Sequence, residues 1–238
     1  MLIISTTIGN VYGICLSLGV LVDCCLIGFL LYKLDIEYYK ILPLSLLNFI
    51  VTLLGGKILG ALQKGSSILT APLSSMGGLI ASLSVTLLVG LLLKIDFSKI
   101  FTAVTLPLPI TYAITKLGCA YAGCCSGIPW HGSSSINNTH YIGRTFPVQI
   151  TESIVFFVIF CVFTFLYIKG KFNVKTGLLL IMTCCIAKGS LYYLRYESID
   201  HPFGSHQIII LSVLLLSLLG YVICSIKHKN KLSVNDAF

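Results

Sequence analysis

The chain has 238 residues, of which 56% are apolar and only 10% charged, and its mean hydropathy is +0.97. Average soluble domains carry roughly 25% charged residues, so this composition excludes a large soluble domain and points to several membrane spans of about 20 apolar residues each. The net charge of +8 does not point to nucleic acid, because the cations sit at the ends of apolar runs and form no basic stripe.

In chain order the apolar segments run over 8–31, 41–62, 69–93, 100–118, 148–168, 175–194 and 205–226. They predict an all-α integral membrane protein with seven transmembrane helices. One membrane domain covers 1–226, with a single long loop over 119–147 and a short tail over 227–238. The first segment has no basic region before it, so it reads as a span and not as a cleaved signal peptide. The third carries Pro72 and the Gly77-Gly78 pair, which allows a bend or a close helix crossing. The fourth carries Pro107 and Pro109. Proline removes a backbone donor and clashes with the preceding turn, so this helix is expected to kink or break. Such a break inside a membrane requires cover from protein or a wet cavity.

Cation counts set the orientation. Lys33, Lys40, Lys94, Lys99, Lys169, Lys171, Lys175, Lys227, Lys229 and Lys231 lie at one set of helix ends. Lys57, Lys64, Lys116, Arg144, Lys188 and Arg195 lie on the opposite side. Ten against six makes the first side cytoplasmic. With seven spans the N-terminus is then outside, the C-terminus cytoplasmic and the 119–147 loop external.

Several charges fall within apolar runs. Lys57 follows Gly55-Gly56 in the second segment, Lys116 ends the fourth, Glu152 opens the fifth and Lys188 lies in the sixth. Lys188, Tyr192 and Arg195, spaced i, i+4, i+7, share a face on a continuous helix. Lysine near a helix end can snorkel to the headgroups, which is the ordinary reading of Lys64 and Arg144. The remaining cations and Glu152 share one level near the outer leaflet, and a cationic cavity there suits an anionic phospholipid headgroup. Asp23 lies in the other half of the membrane and has no place in that site.

Of the ten cysteines, Cys24-Cys25 and Cys184-Cys185 lie in apolar runs and read as small hydrophobes. Cys119, Cys124 and Cys125 fall at the start of the external loop, which also holds Trp130, His131 and His140. The cysteine and histidine spacing there matches no familiar zinc pattern, so no metal and no cofactor is expected. A redox pair or a structural disulfide between Cys119 and Cys124 or Cys125 competes with simple packing in a Gly-rich turn.

The sequence resembles the bacterial prolipoprotein diacylglyceryl transferase family. The resemblance rests on blocks in order along nearly the whole chain: Tyr12-Gly13, Gly55-Gly56-Lys57, Ser75-Met76-Gly77-Gly78, the run from Lys116 to Gly127, Phe146-Pro147-Val148-Gln149-Ile150-Thr151-Glu152, Lys188 through Arg195, and Gly204-Ser205-His206-Gln207. The family pattern has Arg at the positions of Lys57, Lys116 and Lys188, His at those of Met76 and Phe146, and Glu at that of Tyr192. Lysine keeps the charge but lacks the planar fork that grips phosphate.

The resemblance implies transfer of a diacylglyceryl group from phosphatidylglycerol to the thiol of a lipobox cysteine in the bacterial cell membrane. Such a site needs cations for the phosphate and the leaving group, a base for the thiol, and an opening toward the membrane. Lys116, Lys188, Glu152 and Tyr12 are the expected catalytic residues. Lys57, Arg195, Gln149, Tyr192, Gly118 and Gly127 are expected to bind substrate. The expected partners are a phosphatidylglycerol-like donor, a peptide or lipoprotein-precursor thiol and the membrane itself. Three alternatives stand beside this reading: a transferase of the same fold with another donor or acceptor, a thiol–disulfide oxidoreductase using Cys119, Cys124 and Cys125, and a non-catalytic lipid-binding or transport protein.

Overall fold

A computed structural model describes residues 2–71, 73–132, 135–137 and 143–235. Pro72 and His140 lie outside them. The described residues form helices α1 (Leu2–Lys33), α2 (Tyr38–Lys64), α3 (Ser75–Leu92), α4 (Phe97–Thr105), α5 (Leu108–Ala122), α6 (Val148–Ile168), α7 (Val174–Tyr192), α8 (Glu197–Asp200) and α9 (Ser205–Asn235). Two short strands, β1 (Ile136–Asn137) and β2 (Arg144–Thr145), pair antiparallel in the loop after α5.

Six helical stretches are long and apolar enough to cross a membrane: Val11–Lys33, Tyr38–Gln63, Phe97–Ala122, Val148–Ile168, Val174–Tyr192 and His206–Lys227. The chain is thus a multi-pass membrane protein. The third expected span is shorter than its apolar run. The helix begins at Ser75, capped by Ser74, whose hydroxyl accepts from the Gly77 amide. Its apolar part, Met76–Leu92, has 17 residues, or about 26 Å at 1.5 Å per residue, slightly less than a typical hydrocarbon core of about 30 Å. Residues 66–71 and 73–74 form turns and extended chain before it.

The expected break in the fourth span is present. α4 stops at Thr105 and α5 starts at Leu108, with Pro107 ahead of its first turn. Protein covers the break, since every residue from Ile100 to Thr105 is buried. Asp96 caps α4, its carboxylate accepting from the Ser98 and Lys99 amides. The α4–α5 span is the most buried of the six and lies among α1, α3, α6 and α7.

α2 and α3 cross through glycine. A Cβ at Gly55 would sit 2.7 Å from the Gly77 carbonyl oxygen, closer than a methyl group tolerates, and one at Gly78 would meet the Thr52 carbonyl at 3.0 Å. Small residues let the backbones approach, which substitutes for a hydrophobic drive that lipid cannot supply.

Asp23 acquires a structural place. Its carboxylate accepts from Asn48 Nδ2 at 2.7 Å and from Thr111 Oγ1 at 3.0 Å, while Asn48 Oδ1 accepts from Ser82 at 2.6 Å and Thr86 at 3.0 Å. These side chains, buried except for the half-buried Thr111, join α1, α2, α3 and α5 in one polar network. A buried polar group is tolerated when its partners are present.

Candidate functional site

The site is built where α5, α6 and the segment after α7 meet. Glu152, in the first turn and a half of α6, is fully buried. One of its oxygens lies 2.7 Å from Lys116 Nζ on α5. The other accepts from Arg195, from Nε at 3.0 Å and also from Nη2. Tyr112 completes the cluster: its hydroxyl donates to Glu152 Oε2 at 3.2 Å and accepts from Arg195 Nη2 at 3.3 Å. The ammonium of Lys188, from α7, stands 4.4 Å from the centre of the Tyr112 ring, and that of Lys116 stands 5.3 Å from it. Three basic side chains therefore face one carboxylate. Ser153 Oγ donates to the Ala113 carbonyl at 2.9 Å, which locks α6 to α5 at this level.

Arg195 reaches the cluster by a route that differs from the expected one. α7 ends at Tyr192, so Lys188, Tyr192 and Arg195 do not continue along one helical face. Arg195 instead lies in a turn that pairs as an antiparallel bridge with Gly127. The Ile128 amide donates to Leu194 O at 3.0 Å and the Tyr196 amide to Ser126 O at 2.9 Å. A second bridge joins Pro129 to Thr145, and Trp130 packs edge-on against Phe146 at 5.9 Å. The described part of the loop after α5 is thus stitched to the end of α7 and fixes the guanidinium. Burial works against the charge of Arg195, but Tyr112 and Glu152 outweigh it and hold the guanidinium above its ordinary range.

The other expected site residues take varied positions. Gln149 is buried, and its Nε2 donates to the Cys124 carbonyl at 2.7 Å, while its Oε1 has no partner among the described residues. Tyr12, half-buried on α1, is within electrostatic reach of Lys116 and the three loop cysteines. Gly118 is a packing position: a Cβ there would stand 2.6 Å from Cys15 Cβ on α1. Gly127 admits the Phe146 carbonyl where a side chain would collide with it. Tyr192 is buried but turns its hydroxyl to the His201 carbonyl at 2.7 Å. Lys57 is held away from the cluster, donating to Ala71 O at 2.8 Å and Leu69 O at 3.2 Å.

Two residues that the sequence did not single out join the site. Tyr112 is its hub, and the available signal was its i, i+4 spacing to Lys116 on one helix face. His206, half-buried at the start of α9, is in electrostatic contact with Lys188, Arg195, Lys116 and Cys125.

Below the cluster lies a small apolar cavity. Lys188 and Tyr112 form its polar end. Met76 and Leu79 of α3, Phe156 of α6, Ile181 and Cys185 of α7, and Ile210 and Val213 of α9 line the rest. A cationic end over an apolar pocket matches the polarity of a phospholipid.

Cys119, Cys124 and Cys125 sit near Lys116 at the C-terminal end of α5, all as free thiols. The Cys119 and Cys124 thiols hydrogen-bond to the Cys125 sulfur and hold it well below the ordinary thiol range. Cys119 lowers Cys124 as well, but donation to Cys125 and burial outweigh this and push Cys124 up to about 11. His131 is exposed in the loop beyond.

No curated protein matches the chain. The sequence model of one family, described as prolipoprotein diacylglyceryl transferase, matches residues 3–225.

Proposed function

The chain belongs to the prolipoprotein diacylglyceryl transferase family, and on that premise we propose that it transfers a diacylglyceryl group from an anionic phospholipid, phosphatidylglycerol first, to the cysteine thiol of a lipoprotein precursor. The observation that carries this reading is the junction of the Lys116–Glu152–Arg195–Lys188 cluster with the apolar cavity. We place the protein in a bacterial cytoplasmic membrane with seven crossings, α3 among them, the N-terminus outside and the site in the outer leaflet. The ten cytoplasmic against six external cations support that orientation.

The chemistry follows from the side chains. An acyl chain moving from bilayer to cavity exchanges one apolar medium for another, so its burial adds little affinity. Binding must come from the headgroup. Lys188, Lys116 and Arg195 attract the phosphate and offset the charge that develops on the leaving oxygen. Glu152 has both oxygens committed to cations and Tyr112, so its role is to orient Lys116 and Arg195. In the transfer, the acceptor sulfur bonds to the terminal glyceryl carbon as the carbon–oxygen bond to phosphate breaks. The bond pair leaves on glycerol phosphate, and the thiol proton passes to a base. Tyr12 is the candidate for that base.

The test is direct. The purified protein is given phosphatidylglycerol vesicles and a lipobox peptide, and the peptide is weighed by mass spectrometry. A diacylglyceryl mass gain is expected; its absence beside an active control enzyme defeats the reading. A second reading has its own observation. Met76 lines the cavity where the family pattern places His, so a transferase with another donor or acceptor would bind phospholipid in the cavity yet leave the lipobox peptide unmodified.

A further inference from the structure

The phosphate-binding reading leaves one group of side chains unused. The sulfur atoms of Cys119, Cys124 and Cys125 all lie within 4.8 Å of one another. Cys119 is buried, Cys124 half-buried and Cys125 exposed, so their triangle is anchored on one side and open on the other. The backbone is shaped for this convergence. Gly123 caps α5 in the left-handed region at φ 69°, and Cys125 repeats that conformation at φ 56° without being glycine. Such a conformation is unfavourable for a side-chain-bearing residue and is held only where the surrounding structure imposes it. The reversal folds the Cys124-Cys125 pair back over the last turn of α5, with Cys124 Sγ 3.6 Å from the Cys119 carbonyl.

Three sulfurs so placed suit a metal better than a disulfide. A disulfide uses two and leaves the third without purpose. Zinc–sulfur bonds of about 2.3 Å in a tetrahedral arrangement set the sulfurs about 3.8 Å apart, inside the observed limit. The α5 C-terminus presents carbonyls with partial negative charge toward the same point, which favours a cation there. Lys116 lies three residues before Cys119 on α5, so a cationic side chain stands on the same face of the helix, one turn away.

We propose that Cys119, Cys124 and Cys125 bind one Zn²⁺ ion through three thiolates, with a fourth coordination position open beside Cys125. Three S–H protons pass to water as three sulfur–zinc bonds form. The resulting unit carries one negative charge, which Lys116 and Arg195 offset. An open fourth position distinguishes catalytic from structural zinc sites. Resting on the transferase reading, that position takes the acceptor thiol: its proton passes to the base, its sulfur binds as thiolate, and the same sulfur then bonds to the glyceryl carbon as the carbon–oxygen bond to phosphate breaks and the bond pair leaves on glycerol phosphate. The zinc site itself does not depend on that reading.

The test uses the full chain, purified under reducing conditions. Metal content is measured by mass spectrometry, and Co²⁺ replaces zinc for absorption spectroscopy. One zinc per chain is expected, with a near-ultraviolet thiolate-to-cobalt band, tetrahedral visible bands and a shift of both when a small thiol is added. The Cys119→Ser, Cys124→Ser, Cys125→Ser triple variant should lose the metal, and Cys125→His should retain it. If the triple variant fails to fold, the cobalt spectrum of the unaltered chain decides. Substoichiometric zinc without a cobalt–thiolate band overturns the site, as does copper in its place, undiminished zinc in a folded triple variant, or a disulfide between two of these cysteines in protein taken from the membrane. Zinc binding without peptide transfer sinks the transferase reading alone. Peptide transfer without zinc sinks the metal site alone.

Discussion

Glu152 holds the centre of the cluster, and its removal has a calculable effect. Truncating one partner of a buried ion pair costs about 3–5 kcal/mol, because the remaining charges stay buried without compensation. Glu152→Ala should therefore lower thermal stability in detergent by that order, with peptide transfer lost as well. Lys188 stands over the Tyr112 ring, 4.4 Å from its centre. Lys188→Ala should reduce transfer by 100-fold or more, the loss expected of an oxyanion donor, and lower the melting temperature by less than Glu152→Ala does. Equal losses of stability and activity would show Lys188 to be structural. The three thiols give a pH signature in reduced, metal-free protein. A thiol reacts as its thiolate. Cys125, held below the ordinary range, should alkylate with iodoacetamide at pH 7, whereas Cys124, pushed up to about 11, should stay unreactive until the pH is raised well above neutrality. Most of these residues were legible in the sequence, since a charge in an apolar run stands out. Tyr112 was not, because tyrosine in an apolar helix is an ordinary packing residue. Lys57 was legible as a charge, but only the fold places its ammonium on the carbonyls of Leu69 and Ala71.

At the scale of elements, proline was the most reliable guide. Pro107 and Pro109 announced the division between α4 and α5, because a missing donor interrupts a helix wherever it falls. Hydropathy misled at α3. Leu69, Ala71 and Leu73 prolong the apolar run without prolonging the helix, which begins only after the Ser74 cap. The end of α7 was hidden for a similar reason. Tyr192 and Arg195 keep helical spacing, yet the chain leaves the helix at Tyr192 and Arg195 is held by strand-like pairing with the loop after α5. Pairing between segments this far apart leaves no periodic trace in sequence. It does leave a glycine. Gly127→Val would drive a side chain into the Phe146 carbonyl, unseat the bridge and release Arg195. Transfer activity should fall at least 10-fold while the helical circular dichroism stays unchanged. Retained activity would mean that Arg195 is held by its ion pair alone.

At the scale of the whole molecule, the helices form a wall whose closure is uneven. α9 packs chiefly against α7, and α3 against α2 and α4. Between α3 and α9 lies the cavity, with Met76 and Leu79 on one bank and Ile210 and Val213 on the other. The outward surface of α9 is apolar, with Leu215, Leu216, Leu219 and Ile223 exposed as lipid contact requires. A donor arriving by this seam never leaves its leaflet, so its supply is set in two dimensions. Reaction velocity should then follow the mole fraction of anionic lipid in the vesicle and ignore its bulk concentration. Diluting phosphatidylglycerol with a neutral lipid at constant total lipid should slow the reaction, whereas adding more vesicles of the same composition should not speed it. For this protein the relevant solvent is the bilayer, and its kinetics are those of a surface.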